Sequence, residues 1–335
     1  MNIYDISEKA GVSIATVSRV LNGSANVSEK TRKKVLDVME KYEYKPNAFA
    51  RGLGLNTMKT IGLLCTDSSD LYQAKAIYHI EKQLHEEGYD SILCCSGFEL
   101  EDKKKCLNLL LDKKVDALIL IGSSFVYDQE CENQYIVDAG SQVPVMLLNA
   151  ALDAPNVYGV LTDDYSSMYE AVAKLTKEGI QNILYFYNSD SYSGKKKLSG
   201  YLSAVEAFGL TKDEKLQQLY GQNHEDIPGM AAHLLKLKEE GLKFEGIITS
   251  DDELALGAVK FAKRAGLKIP EELSIIGYNN SMLATCSDPE ISSIDIRLEK
   301  LCQHLTGSLM RALEGEELPK QSVFSGELIE RQTTK

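Results

Sequence analysis

The sequence predicts a small all-α head with a helix-turn-helix, followed by an α/β body of two lobes built on doubly wound parallel sheets. Three observations predict this. The chain has 335 residues, too many for one average domain. Residues 1–45 read as short, capped helices in quick succession. Residues 60–335 alternate charge-poor apolar runs with amphipathic helical stretches.

The head follows from its caps. Asn2 can cap a helix over Ile3–Ala10, with Asp5 closing a capping box and Gly11 ending it. Ser13 caps the next helix, Ile14–Leu21, which Asn22 and Gly23 stop. Ser28 caps a third helix, from Glu29 to about Tyr42. Two short helices joined by a Gly-containing turn make a helix-turn-helix pattern. In the second helix, Val17, Val20 and Leu21 share a face that can pack on Ile6, Val35 and Val38. The other side presents Ser13, Ile14, Ala15, Ser18, Arg19 and Asn22. Short hydroxyls and free N–H groups near a helix start suit phosphate, and the planar fork of Arg19 suits guanine. A helical hairpin with a polar exterior is the bland alternative.

Charge sharpens the contrast between head and body. Net charge is −12, which alone argues against a polyanionic partner. Yet residues 1–59 hold ten basic and six acidic residues, which leaves the remainder at −16. A basic head on an acidic body suggests a polyanion-binding module; chance clustering on a solvated surface is the alternative that charge alone leaves open. Apolar residues at 44% and charged residues at 26% read as a soluble globular protein. No apolar run is long enough to span a membrane. "MNIYDISEKAG" carries acids and no apolar core, so no secretory signal is expected. The seven cysteines are scattered without a CxxC pair, which fits a reducing cytoplasm.

"YDISEKAGVSIATVSRVLNGSANVSEKTRKKVLDVMEKYEYKPNAFARGL" resembles the DNA-binding head of the LacI/GalR family of bacterial transcription regulators. The resemblance implies a sequence-specific regulator, expected to be a repressor, on double-stranded DNA. It implies that Ile14, Ala15, Ser18 and Arg19 face bases, and that Ser13, Thr16 and Asn22 hold phosphate. "YKPNAFARGLGLNT" gives residues 46–59 a role as hinge. Pro46 suits a first helical position and Asn47 can cap, but residues 48–53 are too short for a stable isolated helix. Gly52 and Gly54 each weaken it by about 1 kcal/mol. By itself this is a flexible linker. The resemblance implies that it folds on DNA against its dimer mate, with Leu53 wedged between bases and Asn47 and Arg51 near the backbone.

The body's strand-like runs are "TIGLLCT", "DSILCCS", "DALILIG", "PVMLLNA", "NILYFYN", "GIITSD" and "LSIIGYN". Runs bare of charge between amphipathic helices read as parallel sheets covered on both faces. The body is similar to the periplasmic sugar-binding-protein fold, with a cleft between its lobes. On that likeness the chain crosses near 159, 289 and 320. Lobe 1 is then about 60–158 and 290–320, and lobe 2 about 159–289 and 321–335. Open α/β sheets bind ligands at the carboxyl ends of their strands, which nominates Thr66, Asp67, Ser69, Tyr72, Asn149, Asn188, Asp251 and Asn279. The competing reading for each is local capping, and Asp252 is assigned to a helix start.

"SGKKKLSGY" puts Lys197 where the family usually has an arginine, and "GYNN" puts Asn279 where it usually has aspartate. Lysine supplies a point charge in place of a fork, and asparagine removes an anion. Ile296 and Leu298 stand where relatives often carry a polar or aromatic contact. The effector is therefore an unusual sugar or derivative, or binds weakly. Alternatively the cleft is degenerate and a protein co-regulator takes its place. No cofactor, metal or catalytic site is expected: the five histidines are dispersed, there is no G-x-S-x-G, and "SGKKK" lacks the upstream glycine of a P-loop. A free-standing solute-binding protein is disfavoured by the head. A homodimer on a pseudo-palindromic operator is expected, without a tail-mediated tetramer, because no heptad run follows "IERQTTK".

Overall fold

The computed structural model describes residues 2–21, 26–44, 57–221 and 226–335. The head holds α1 (Ile3–Ala10), α2 (Ile14–Leu21) and α3 (Glu29–Lys41). The Asn2 side chain accepts from the Tyr4 and Asp5 amides at 2.9 and 3.1 Å, and Asp5 accepts from the Asn2 amide at 2.7 Å. Gly11 ends α1 at φ 56°, a left-handed position that costs glycine little. Ser28 accepts from the Thr31 amide to start α3. Ile6, Ala10, Val17, Val20 and Val35 form the core, with Leu21 and Val38 packed beside it.

The body begins β1 (Thr60–Cys65), α4 (Leu71–Glu86), β2 (Asp90–Cys95), α5 (Leu100–Asp112), β3 (Ala117–Ile121), α6 (Gln134–Gly140), β4 (Val145–Leu148) and β5 (Val157–Thr162). It continues α7 (Asp164–Lys177), β6 (Ile183–Tyr187), α8 (Tyr192–Ala207), β7 (Gln217–Leu219), α9 (Ile227–Glu239), β8 (Gly246–Thr249), α10 (Asp252–Ala265) and β9 (Ser274–Tyr278). It closes with α11 (Met282–Cys286), β10 (Ser292–Asp295), α12 (Leu298–Leu313), β11 (Gln321–Phe324) and β12 (Glu327–Ile329). Among the described residues the strands make two six-stranded sheets, ordered β11-β5-β4-β3-β1-β2 and β12-β10-β9-β8-β6-β7. The central strands are buried along their length, as the five residues of β3 show. β12 runs antiparallel to β10, so the second sheet is parallel except at that edge.

The chain passes between the sheets three times: after β5, after β10 and between β11 and β12. These passages lie a few residues beyond the expected 159, 289 and 320. Gly159 sits inside β5. A Cβ there would lie 2.6 Å from the Ala150 carbonyl oxygen, so glycine permits a close approach. β10, "SSID", is short and polar and gives no apolar signal.

The first sheet is covered by α4 and α12 on one face, and the second by α7 and α8. The α7–α8 contact depends on Gly200. A Cβ there would stand 2.2 Å from the Tyr165 carbonyl oxygen. Gly200→Ala is therefore expected to destabilise the body by roughly 1–3 kcal/mol, read as a lower midpoint of urea unfolding. Among the described residues no helix is long and apolar enough to cross a membrane.

Candidate functional site

On the head, α2 turns its apolar face inward and its polar face out. Val17 is fully buried, whereas Ser13, Ile14, Ala15 and Arg19 are exposed, Ile14 at 40%. Thr16 and Ser18 are half-buried at the edge of that face. The Ser13 hydroxyl accepts from the Thr16 amide at 3.2 Å and lies 2.9 Å from the Thr16 hydroxyl, which fixes the helix start. Asn22, Asn47, Arg51 and Leu53 lie outside the described residues.

In the body, the carboxyl ends of the parallel strands of both sheets face one cleft. Its inner cavity is about 540 Å³. Thr66, Tyr72, Gln73, Phe98 and Asn149 line it from the first lobe, and Asn188, Lys197, Ser250, Asp251 and Asn279 from the second. An adjoining chamber of about 560 Å³ shares Asp70, Tyr72, Asn188, Asp251 and Asn279, and reaches Lys75, Tyr78, Met282 and Leu298. At the rim the Ser123 and Ser191 hydroxyls meet across the lobes at 2.8 Å, and Lys195 pairs with Asp128.

Thus the structure brings Thr66, Tyr72, Asn149, Asn188, Lys197, Asp251 and Asn279 to one cavity. It does not bring Asp67, Ser69 or Ile296. Asp67 Oδ1 accepts from the Ser69 amide at 2.8 Å and the Ser69 hydroxyl at 2.7 Å, a local turn away from the wall. Ile296 is 2% exposed and packs in the apolar core. The neighbouring Leu298 lines the outer chamber instead.

Each lining group is held from behind. Gln73 Oε1 accepts from the Thr66 amide at 2.9 Å and the Thr66 hydroxyl at 3.1 Å. Asp251 caps α10 through the Leu254 amide at 2.8 Å and accepts from Asn188 Nδ2. Asn188 Oδ1 accepts in turn from the Ser250 hydroxyl at 3.1 Å. Asn149 and Asn279 adopt φ values of 64° and 88°, a left-handed backbone that asparagine tolerates better than most residues.

Lys197 is 7% exposed. Its ammonium donates to the Ser250 carbonyl at 2.9 Å and sits 3.6 Å from the centre of the Tyr278 ring. Behind it lies buried Asp164, which accepts from the hydroxyls of Ser193 and Tyr278. Burial pushes the Lys197 ammonium down, opposed chiefly by the charge of Asp164. Burial likewise pushes the Asp164 carboxyl up, opposed by Lys197 and the two hydroxyls.

Sequence reasoning passed over Asp70, Gln73, Phe98, the serines around 123 and 189–193, and Asp164. Most follow a strand by two to five residues, so a wider reading of strand ends would have found them. Asp164 was hidden because it sits beside a cap; Asp163 caps α7 through the Ser166 amide at 3.0 Å, which leaves Asp164 to point inward.

Residues 2–47 match the family described as bacterial regulatory proteins, lacI family. Residues 172–334 match the periplasmic binding protein-like domain. An HTH-type transcriptional regulator of Lachnoclostridium phytofermentans is 53% identical over 334 residues, spanning 100% of this chain and 99% of that one. The chain belongs to the LacI family of bacterial regulatory proteins. This LacI-family protein is also 32% identical to the HTH-type transcriptional regulator AscG of Escherichia coli, over 98% of this chain and 97% of AscG. The Lac repressor dimer bound to operator and the anti-inducer ONPF shares its fold, with a TM-score of 0.87 at 22% identity over 100% of this chain and 99% of that one. The LacI-family chain is a DNA-binding transcriptional regulator with a ligand-binding body, and not an enzyme.

Proposed function

We propose that this regulator is a repressor acting as a homodimer, and that an uncharged polyhydroxylated molecule held between the lobes sets its grip on DNA. A sugar or sugar derivative is the chemistry that fits. The observation that carries this reading is the cleft wall. Amide and hydroxyl groups of Thr66, Asn149, Asn188, Ser250 and Asn279 converge there beside Phe98 and Tyr72. Such a mixture of two-sided hydrogen-bonding groups and aromatic faces matches a ring bearing hydroxyls. The wall's buried cation, Lys197, is committed to Tyr278 and Ser250, while Asp70 and Asp251 line the cavity. A phosphorylated ligand in the inner cavity would face those carboxylates, and Lys197, the cation in that wall, is already engaged.

On the head, the exposed face of α2 supports base reading by Ile14, Ala15, Ser18 and Arg19, with Ser13 and Thr16 at phosphates. The same reading gives Leu53 to the bases and Asn22, Asn47 and Arg51 to the backbone. The Lac repressor structure holds its operator as a dimer, and two copies of one short helix are what a pseudo-palindrome requires.

Thermal unfolding against neutral sugars, phosphosugars and nucleosides tests the effector. A ligand present at 100 times its Kd stabilises the native state by about 2.7 kcal/mol. At least one neutral sugar or glycoside is expected to raise Tm. A rise confined to phosphorylated compounds would overturn the proposal, and so would no rise with any compound in the panel.

A further inference from the structure

The edge of the first sheet carries sulfur chemistry that neither DNA nor effector binding uses. β2 is the edge strand and ends in Cys94 and Cys95. It pairs in parallel with β1, which puts Cys65 directly opposite Cys95. Their sulfurs are 3.4 Å apart. Adjacent strands lie about 4.8 Å apart, inside the span of about 4.4–6.8 Å between Cα atoms that a disulfide bridges. Cys65 is buried and Cys95 is exposed. One sulfur therefore meets solvent, with its neighbour in contact behind it. Cys131 and Cys286 are exposed elsewhere on the surface.

We propose that Cys95 and Cys65 form a reversible oxidation site, at which a hydroperoxide converts the two thiols into a disulfide. The Cys95 sulfur attacks the terminal peroxide oxygen and the O–O bond breaks. Cys95 becomes a sulfenic acid, and the departing alkoxide or hydroxide takes up the thiol proton. The Cys65 sulfur then displaces the oxygen from Cys95. The S–S bond forms, the S–O bond breaks, and the Cys65 proton leaves with that oxygen as water. Two thiols give up two electrons and the peroxide accepts them. Burial and the neighbouring Cys95 thiol push Cys65 up to about 12, so it stays protonated until an electrophilic sulfur stands beside it.

The site adjoins the cleft. The Ser96 amide donates to the Cys65 carbonyl at 2.9 Å and the Gly97 amide to the Thr66 carbonyl at 3.0 Å. Thr66 directly follows Cys65, Phe98 follows Cys95 by three residues, and both line the cavity. A covalent link here braces that wall.

The test uses the full chain carrying Cys131→Ser and Cys286→Ser, which leaves five of the seven thiols. After hydrogen peroxide treatment, thiol counting and peptide mapping are expected to show three free thiols and a Cys65–Cys95 linked peptide. Dithiothreitol restores five. Adding Cys95→Ser is expected to abolish the link. The proposal is overturned if all five thiols persist, or if Cys95 ends as sulfinic or sulfonic acid with Cys65 free. It is equally overturned if the disulfide joins Cys94 to Cys106 or joins two copies through Cys95.

Discussion

Arg19→Ala is expected to abolish selective binding to operator DNA while leaving ligand-induced stabilisation of the body unchanged. Arg19 stands on the exposed face of α2, opposite the buried Val17 and Val20. Its removal costs the helix no packing. A bidentate arginine–guanine contact is worth roughly 1–3 kcal/mol of discrimination, so two copies on a pseudo-palindrome lose roughly 2–6 kcal/mol. The measurement is fluorescence anisotropy on DNA enriched by the wild-type protein from a random pool, with non-specific DNA as competitor. Binding to the competitor falls much less, because it rests on phosphate contacts. A variant that keeps its preference for the enriched sequence would refute base reading by Arg19.

The second large effect concerns the charge behind the cleft. Asp164→Asn is expected to destabilise the body on the order of 3 kcal/mol at neutral pH. Asparagine keeps the shape of the side chain and can still bond Ser193 and Tyr278, so what is lost is the charge facing Lys197. Without it, burial depresses the Lys197 ammonium further. The folded chain then binds fewer protons than the unfolded one below the ordinary lysine value of 10.5. Stability of the variant consequently rises with pH through that window, and its deficit against wild type narrows toward 10.5. Urea midpoints across pH 7–10 read this out. A constant deficit would mean that the lost energy is packing and not charge.

The head was legible because its signals are local. Asn2, Gly11, Ser13 and Ser28 each announce a helix boundary within three residues of sequence, and the structure shows the capping bonds. The central strands were legible because burial on both faces leaves a charge-free run. The edges were not. β7, β10, β11 and β12 have three or four residues each and contain polar side chains, so their pairing depends on partners far along the chain. The same limit applies to the cleft. A strand end fixes where a residue sits but not where its side chain turns, which is why Ile296 entered the core and Asp67 bonded its neighbour. Lys197 lines the cavity, yet its ammonium is committed to the Tyr278 ring, a contact 81 residues away in sequence that no local pattern records.

The repeated passage between the sheets has a consequence for how the molecule is made. β11 and β12 occupy residues 321–324 and 327–329, and each completes the edge of a different sheet. As the polypeptide leaves the ribosome, the head can fold once about forty residues have emerged, whereas neither lobe gains its final strand until residues 321–329 have been made. A nascent chain thus presents a folded three-helix head well before the lobes that pair and respond to a ligand are complete.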